Sequence, residues 1–185
     1  MLDLNAIDQN WTLFLDRDGV INYEKENDYI YHWDEFVFYE GVKEALGKFS
    51  KLFKYIIIVT NQRGIEKGLM TEADLHDIHM RMKEELAGVD AHIDGIYFCS
   101  SLDNGHPNRK PQPGMAYLAA QDFPGIDFSR SIMVGNNISD MEFGRNAGMH
   151  TVFLQTTRPN QEIPHPAIDL AFKSLLNFAE ALPQA

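Results

Sequence analysis

Five apolar runs, each ending in polar residues, constrain the fold of this chain more than any other feature. They cover 12–16 (TLFLD), 54–61 (KYIIIVTN), 92–100 (HIDGIYFCS), 131–136 (SIMVGN) and 151–154 (TVFL). Short apolar runs without polar alternation are typical of strands that are buried on both faces. We therefore predict a sheet that is covered on both sides.

Stretches with helical spacing of apolar residues lie between these runs, and one of them opens with a Thr cap and an acid three residues later. The spaced apolar positions are Val42, Ala45, Leu46 and Phe49 in the first stretch and Leu75, Ile78, Met82 and Leu86 in the second. Alternating strands and helices predict an α/β fold, a doubly wound and mainly parallel sheet. Residues 155–170 are expected to form a proline-bearing connection before a last helix near 172–182.

Length, charge and cysteine content limit the possible functions. The chain has 185 residues, which predicts a single domain over 1–185. A net charge of -11 argues against a nucleic acid partner, and the apolar runs are far shorter than the roughly 20 residues of a membrane helix. The single cysteine, Cys99, and an N-terminus without signal features predict a cytoplasmic protein. We also expect a monomer.

Polar side chains follow the buried runs at the points where the strands should end. They are Asp16 and Asp18, Thr60 and Asn61, Arg109 and Lys110, and finally Asn136, Asn137 and Asp140. Because such folds bind ligands at the carboxyl ends of their strands, we expect these side chains to converge in one crevice. Acids, a hydroxyl group, a cation and a second oxygen-rich cluster suit a hard metal ion and a phosphoryl group.

The acid pair in DRD would mean little by itself, because such pairs are common on solvated loops. Here the pair ends a predicted buried strand and precedes Gly19, where backbone can approach an anion closely. Lys110 stands in NRKPQPGM, where prolines and a glycine stiffen the chain before a predicted helix. One carboxylate could attack phosphorus while a second acid moves the proton of the leaving group.

Four motifs in this order resemble the haloacid dehalogenase (HAD) superfamily. They are FLDRDGVIN, VTNQRGI, RKPQPGM and VGNNISDMEFGRNAGM, within residues 11–155. Within that superfamily the chain most resembles the D-glycero-D-manno-heptose 1,7-bisphosphate phosphatase and histidinol-phosphatase family. The resemblance implies a Rossmann-like core, and the short segments between the motifs leave no room for a separate cap domain.

The resemblance also implies roles for the acidic residues. Asp16 would be the nucleophile that forms an aspartyl-phosphate, and Asp18 would be the general acid and base. Mg²⁺ would be bound by the carboxylate of Asp16, the backbone carbonyl of Asp18 and the side chain of Asn136. Asp140 and Asn137 would support this cluster.

The remaining residues of the motifs would bind substrate. Thr60, Asn61 and Lys110 would hold the phosphoryl group, and Arg109 would add a second cation near the substrate. Without a cap domain, selectivity would depend on three loops, 20–35, 62–70 and 100–109.

The sequence departs from the family at a zinc loop. Members related to the heptose bisphosphate phosphatases carry Cys, His, Cys and Cys where this chain has Cys99, Ser101, His106 and Asn108. Structural zinc sites need four nitrogen or sulfur ligands, so we predict that no zinc is bound.

Two histidines elsewhere could be mistaken for a metal pair. His76 and His79 are three residues apart on a predicted helix, but no third ligand is evident in the sequence. We assign both to a solvated helix face.

The sequence also departs from the family at the metal site. Family members usually have Asp and then Lys where this chain has Asn136 and Asn137. An amide oxygen can still bind a hard cation, but without the full charge of a carboxylate. We therefore expect a weakened hold on magnesium.

These observations favour a magnesium-dependent phosphatase of a small phosphorylated metabolite. Heptose 1,7-bisphosphate or a related sugar phosphate of carbohydrate metabolism is the first candidate, and histidinol phosphate is the second. A polynucleotide phosphatase is disfavoured by the acidic charge, and a signalling receiver domain by the order of the motifs. A catalytically weakened binding protein of the same fold remains an alternative, supported by Asn136.

Overall fold

The computed structural model describes residues 2–183, and its centre is a sheet of six parallel strands. The strands are β1 (Thr12–Leu15), β2 (Tyr55–Asn61), β3 (Gly95–Cys99), β4 (Ser131–Gly135), β5 (His150–Leu154) and β6 (Leu170–Phe172). Their order in the sheet is β3-β2-β1-β4-β5-β6. The predicted doubly wound parallel sheet is confirmed.

Helices cover both faces of this sheet. They are α1 (Val42–Leu52), α2 (Glu72–Ala87), α3 (Gly114–Asp122), α4 (Ile138–Ala147) and α5 (Leu175–Glu180), with 3-10 turns at Leu4–Ala6, Trp33–Glu35 and Phe128–Arg130. Side chains of a strand alternate between its faces, so Leu13 and Leu15 pack in the core under α1, α2 and α5. Phe14, between them, packs in the second core under α3 and α4.

The start of α2 has the predicted cap. The hydroxyl of Thr71 accepts a hydrogen bond from the backbone N–H of Asp74 at 3.1 Å, and the carboxylate of Asp74 accepts one from the backbone N–H of Thr71 at 2.8 Å. Two backbone donors of the first turn are thereby satisfied.

Two predictions about strands were wrong, and both concern the edges of the sheet. β3 lies at one edge and is buried only at its last residue, so it is not buried on both faces as expected. β6 lies at the other edge, where the predicted connection was to end and the last helix to begin, and that helix begins only at Leu175. A strand of three residues is too short to show a periodicity, and its existence depends on pairing with β5.

The connections between the strands add helices and turns to the sheet. Within residues 2–183 all six strands belong to one sheet, so no second sheet forms a cap over it. Over the same residues, no helix combines the length and the apolar character needed to cross a membrane.

We expect the Phe178→Ala variant to be strongly destabilised. Phe178 is fully buried on α5, with ring centroids 5.6 Å from Phe49 and 5.4 Å from Phe172, so truncation leaves a cavity between helix and sheet. The free energy of unfolding should fall by about 3–5 kcal/mol in urea titrations. The exposed Glu180 on the same helix is the control, since Glu180→Ala should stay within about 0.5 kcal/mol. Equal stabilities would contradict this packing.

Candidate active site

Arg109 and Asn136 do not line the predicted crevice, but the other seven polar residues predicted at the strand ends meet at the carboxyl edge of the sheet. They line a cavity of about 160 Å³, whose walls are Asp16, Asp18, Glu24, Thr60, Asn61, Lys110, Asn137, Ser139 and Asp140. The strand order explains this convergence, because β1 lies between β2 and β4. The backbone N–H of Asp16 donates to the carbonyl of Val134 at 3.0 Å, which sets the first acid beside the end of β4.

A buried lysine holds the cavity together. The Nζ atom of Lys110 is 2.8 Å from Oδ1 of Asp16 and 2.7 Å from Oδ1 of Asp140. Asn61 fixes the backbone of this lysine, since its Oδ1 accepts from the Lys110 N–H at 3.1 Å and its Nδ2 donates to the Lys110 carbonyl at 3.3 Å. The second oxygen of Asp140 accepts the N–H of Asn137 at 3.0 Å, at the start of α4. Asp140 therefore both begins a helix and pairs with the lysine.

Burial and charge set the protonation of this group. Burial raises the pKa of Asp16 to about 7, against the opposing effect of the Lys110 ammonium. Burial alone would lower the pKa of Lys110, but the carboxylates of Asp140 and Asp16 outweigh it and the pKa is raised. The lysine is therefore a cation that faces the cavity.

The second acid, Asp18, is held by three neighbours. Nη2 of Arg17 lies 2.9 Å from both carboxylate oxygens, and the amides of Asn22 and Gln62 each donate to one of them at 2.9 Å. Burial opposes ionisation of this group, yet Arg17 and these hydrogen bonds hold the pKa of Asp18 below its usual value. Asp18 is thus a carboxylate in a fixed orientation.

All three neighbours belong to motifs in the sequence but were not recognised as site residues, and Asn22 is the last residue of FLDRDGVIN. Arg17 is the middle residue of DRD and is completely buried, and Gln62 follows Asn61 in VTNQRGI and is also buried. The same Gln62 amide donates to the hydroxyl of Thr60 at 2.9 Å, so it links the end of β2 to Asp18. The sequence signal was their position inside the motifs.

The prediction for one of the two helical histidines was wrong. His76 is exposed as expected, but His79 is only 8% exposed, and its Nε2 lies 3.2 Å from Nη1 of Arg17. Burial, followed by the charge of Arg17, lowers the pKa of His79 to about 3, so this imidazole is neutral. The available signal was its spacing from Leu75 and Met82, which puts it on the buried face of α2.

Asn136, which stands where family members usually have a metal-binding Asp, is completely buried. Its Nδ2 donates to the hydroxyl of Thr157 at 2.8 Å and lies 3.5 Å from Oε2 of Glu24. Its Oδ1 is buried without a hydrogen-bond partner, an arrangement that costs about 1–3 kcal/mol. Gly19, at φ +82°, lets the backbone lie against this amide, since a Cβ there would be 2.0 Å from Nδ2.

The chemistry of these donors fits a hard divalent cation. Mg²⁺ prefers carboxylate, carbonyl and amide oxygens, and the unpartnered Oδ1 of Asn136 supplies one near the end of β4. Among residues 2–183, the carboxylates of Asp16, Asp18 and Asp140 form ion pairs with two cationic side chains, Lys110 and Arg17. A bound divalent cation would offset the remaining negative charge.

A pair of arginines lies on the loops after β2 and β3, close in sequence to the cavity residues Asn61 and Lys110. Arg109 donates from Nη1 to the carbonyl of Ser101 at 3.1 Å and from Nε to Oδ1 of Asn104 at 3.4 Å. Arg63 donates to the same Asn104 oxygen from Nη2. Burial, followed by the charge of Arg63, lowers the pKa of Arg109. The sequence interpretation included Arg109 and missed Arg63.

Comparison with known proteins gives a consistent relationship. The HAD-hydrolase-like family model matches residues 107–176. The D-glycero-beta-D-manno-heptose-1,7-bisphosphate 7-phosphatase of Escherichia coli O6:H1 is 35% identical over 179 residues, which is 92% of this chain and 93% of the relative. The chain belongs to the HAD family of phosphatases.

Other relatives agree with this assignment. The D-glycero-alpha-D-manno-heptose-1,7-bisphosphate 7-phosphatase of Mycobacterium bovis is 34% identical over 176 residues, 95% of this chain and 93% of the relative. The crystal structure of D,D-heptose 1,7-bisphosphate phosphatase from B. bronchiseptica, complexed with magnesium and phosphate, superposes with a TM-score of 0.83. It is 27% identical and covers 92% of this chain and 96% of its own.

In the loop that corresponds to the family's zinc site, two of the four side chains at the ligand positions, Cys99 and His106, are in contact. The Sγ of Cys99 is 3.6 Å from Nδ1 of His106, and the backbone N–H of Asn108 donates to the same nitrogen at 3.2 Å. Across residues 2–183, no three His, Cys, Asp or Glu side chains are grouped as metal ligands. That the protein binds no zinc stays a prediction.

We expect Asn136→Asp to bind magnesium more tightly than this HAD phosphatase does naturally. A new unit charge about 4 Å from the ion gains at most roughly 4 kcal/mol at an effective dielectric of about 20. Glu24, 3.5 Å from the present amide, would repel the new carboxylate and reduce that gain. Calorimetric titration with Mg²⁺ and the magnesium dependence of phosphate release measure the effect. Chelation of the metal should abolish phosphate release by both the wild type and the variant.

Two results would contradict this view of position 136. Equal magnesium affinity in both proteins would mean that Asn136 does not face the ion. The second result is a wild type without phosphatase activity with any divalent metal, while Asn136→Asp is active. The natural protein would then be a catalytically inactive member of the family.

Proposed function

We propose that this HAD phosphatase removes the 7-phosphate of a heptose 1,7-bisphosphate through an aspartyl-phosphate on Asp16. The observation that carries the proposal is the ion pair of Asp16 with the buried Lys110, at 2.8 Å, inside a cavity that also contains Asp18. The names of the relatives from E. coli and M. bovis support the substrate.

In the first half of the reaction, an oxygen of Asp16 bonds to phosphorus and the ester bond to the sugar breaks. Lys110 and the hydroxyl of Thr60 hold the phosphoryl oxygens, and Asp18 gives its proton to the departing sugar oxygen. Asp18 is ionised in the free site, and the negative charge of the arriving phosphate favours uptake of a proton from solvent, which Asp18 then donates.

In the second half, Asp18 takes a proton from water, and the water oxygen bonds to phosphorus. The bond between phosphorus and the Asp16 oxygen breaks, which releases phosphate and restores the carboxylate. The carboxylate of Asp16, the backbone carbonyl of Asp18 and Oδ1 of Asn136 would hold Mg²⁺. When bound, the metal would stabilise negative charge on the transferring group.

The arginine pair supports a substrate with two phosphates. Arg63 and Arg109 meet at Asn104 with like charges, an arrangement that an anionic ligand would relieve. They lie on the loops that we predicted to control selectivity. A bisphosphate could present one phosphate to Lys110 and the other to the two guanidinium groups.

Histidinol phosphate is the second candidate, and one observation favours it. Glu24 lines the cavity, and its carboxylate would suit the amino group of that substrate. The same carboxylate could accept hydrogen bonds from sugar hydroxyls, so the arginine pair decides in favour of the bisphosphate.

We also propose that the chain works as a monomeric, single-domain enzyme in the cytoplasm. The single Cys99 suits a reducing compartment. Light scattering of the purified protein tests the oligomeric state.

We expect phosphate release to be fastest with heptose 1,7-bisphosphate and to disappear in Asp16→Asn. Both C1 anomers are assayed beside histidinol phosphate, because relatives of nearly equal identity are named for opposite anomers. Loss of the nucleophile should lower kcat by roughly 10³-fold or more. Wild-type turnover in Asp16→Asn would refute the assignment of Asp16 as the nucleophile. A preference for histidinol phosphate would refute the assignment of the bisphosphate as the substrate.

We expect Arg63→Gln to raise KM for the bisphosphate by about tenfold, because one charged hydrogen bond to phosphate is lost. KM for a heptose 7-monophosphate should change little. Lys67→Gln, an exposed cation on the same loop, is the matched control. Equal changes for both substrates would mean that Arg63 does not bind the second phosphate.

A further inference from the structure

One buried polar contact near the site has no part in the proposed chemistry. Arg17 is completely buried, and its guanidinium group uses two edges. Nη2 and Nε contact Asp18 at 2.9 and 3.3 Å, while Nη1 lies 3.2 Å from Nε2 of His79. His79 comes from α2, a helix that contributes no residue to the cavity wall.

The direction of this hydrogen bond follows from the chemistry of its partners. A guanidinium group has only donors, so Nε2 of His79 is the acceptor and the proton of the neutral ring is on Nδ1. Burial lowers the pKa of His79 to about 3. The imidazole is therefore neutral, as it must be to accept a hydrogen bond.

Without this acceptor, Arg17 would be held less firmly. A buried Nη1 without a partner carries a desolvation cost, and the side chain would turn or recruit water to satisfy it. Either change would move the edge that holds Asp18, because the guanidinium group is planar and rigid. Small displacements of a group that transfers a proton lower the rate strongly.

The surroundings of His79 determine which substitution is informative. The ring borders a groove of about 780 Å³ between α2 and the edge strand β3, together with Met80 and Phe98. Truncation to alanine would let water enter from this groove and replace the lost acceptor. A leucine removes the acceptor and still excludes water.

We propose that His79 is a positioning residue for the reaction: it accepts the hydrogen bond of Arg17 and thereby fixes the carboxylate of Asp18 for proton transfer. The inference rests on the proposed function, in which Asp18 moves the proton. It adds a residue outside the cavity, on a helix whose other buried residues serve only the core.

The test compares His79→Leu with His79→Gln, whose amide oxygen can reach the position of Nε2. We expect His79→Leu to lower kcat for the bisphosphate by about tenfold or more, with KM within about twofold. His79→Gln should restore kcat to within about threefold of the wild type. His76→Leu and His76→Gln, at an exposed position of the same helix, are the matched controls and should behave as the wild type.

A second measurement separates positioning from a general loss of structure. With 2,4-dinitrophenyl phosphate the leaving group needs no proton, so the burst of dinitrophenolate in His79→Leu should keep a rate close to that of the wild type. If His79→Leu is unfolded in thermal melts, His79→Asn replaces it, since its shorter amide cannot reach Nη1. His79→Gln should then be active and His79→Asn defective.

Three outcomes would overturn the inference: wild-type kcat in the variant without an acceptor, no rescue by glutamine in a folded protein, or equal losses with both substrates. Failure of the proposed function itself would appear differently. In that case Asp16→Asn would retain turnover, whatever the variants of His79 do.

Discussion

The candidate active site of this phosphatase depends on one buried ammonium group. Lys110 is 4% exposed and lies between Asp16 and Asp140, so it joins the end of β1, the start of α4 and the loop before α3. Burying charges is costly unless they are paired, and removal of one partner from such a cluster typically costs about 3–5 kcal/mol. The positions of these three segments are therefore coupled, and the parallel sheet provides the rigid edge on which they meet.

The two acids of the DRD motif differ because of their surroundings and not because of their type. Burial raises the pKa of Asp16, whereas Arg17, Asn22 and Gln62 together overcome burial and lower the pKa of Asp18. In the site without metal and substrate, the attacking acid therefore has the higher pKa and the acid that moves the proton has the lower one, which is the reverse of what the proposed steps need. The negative charge of a bound phosphate would raise the pKa of Asp18 and a bound divalent cation would lower that of Asp16, so the proposed roles depend on both ligands.

The sequence predicted the central strands of the sheet better than the strands at its edges. Strands β1, β2 and β4 are covered on both faces, so their residues are apolar without interruption and can be recognised from composition. Whether β3 is covered depends on what packs beside it, and whether β6 exists depends on pairing with β5. Such contacts join parts of the chain that are distant in sequence, and a local pattern does not contain them.

The same limit applies to the site. The residues at strand ends could be predicted, since the topology of a parallel sheet brings them together whatever their partners are. Arg17 and His79 were missed despite their motif position and helical spacing, because a loop arginine and a helical histidine are usually solvated. Their burial follows from a contact between residues 62 positions apart. Polar residues that support a site are thus harder to recognise than those that line it.

The orientation of Asn136 argues that the site is in use. The hydroxyl of Thr157 can donate or accept, so by itself it would tolerate either orientation of the amide. Glu24 only accepts, and its carboxylate, 3.5 Å away, keeps Nδ2 on its own side. Oδ1 is therefore turned to a side where residues 2–183 offer no donor, and a bound cation would satisfy it. Asn136 and Glu24 together thus supply the oxygen ligand and the negative charge that family members usually supply with a single Asp side chain.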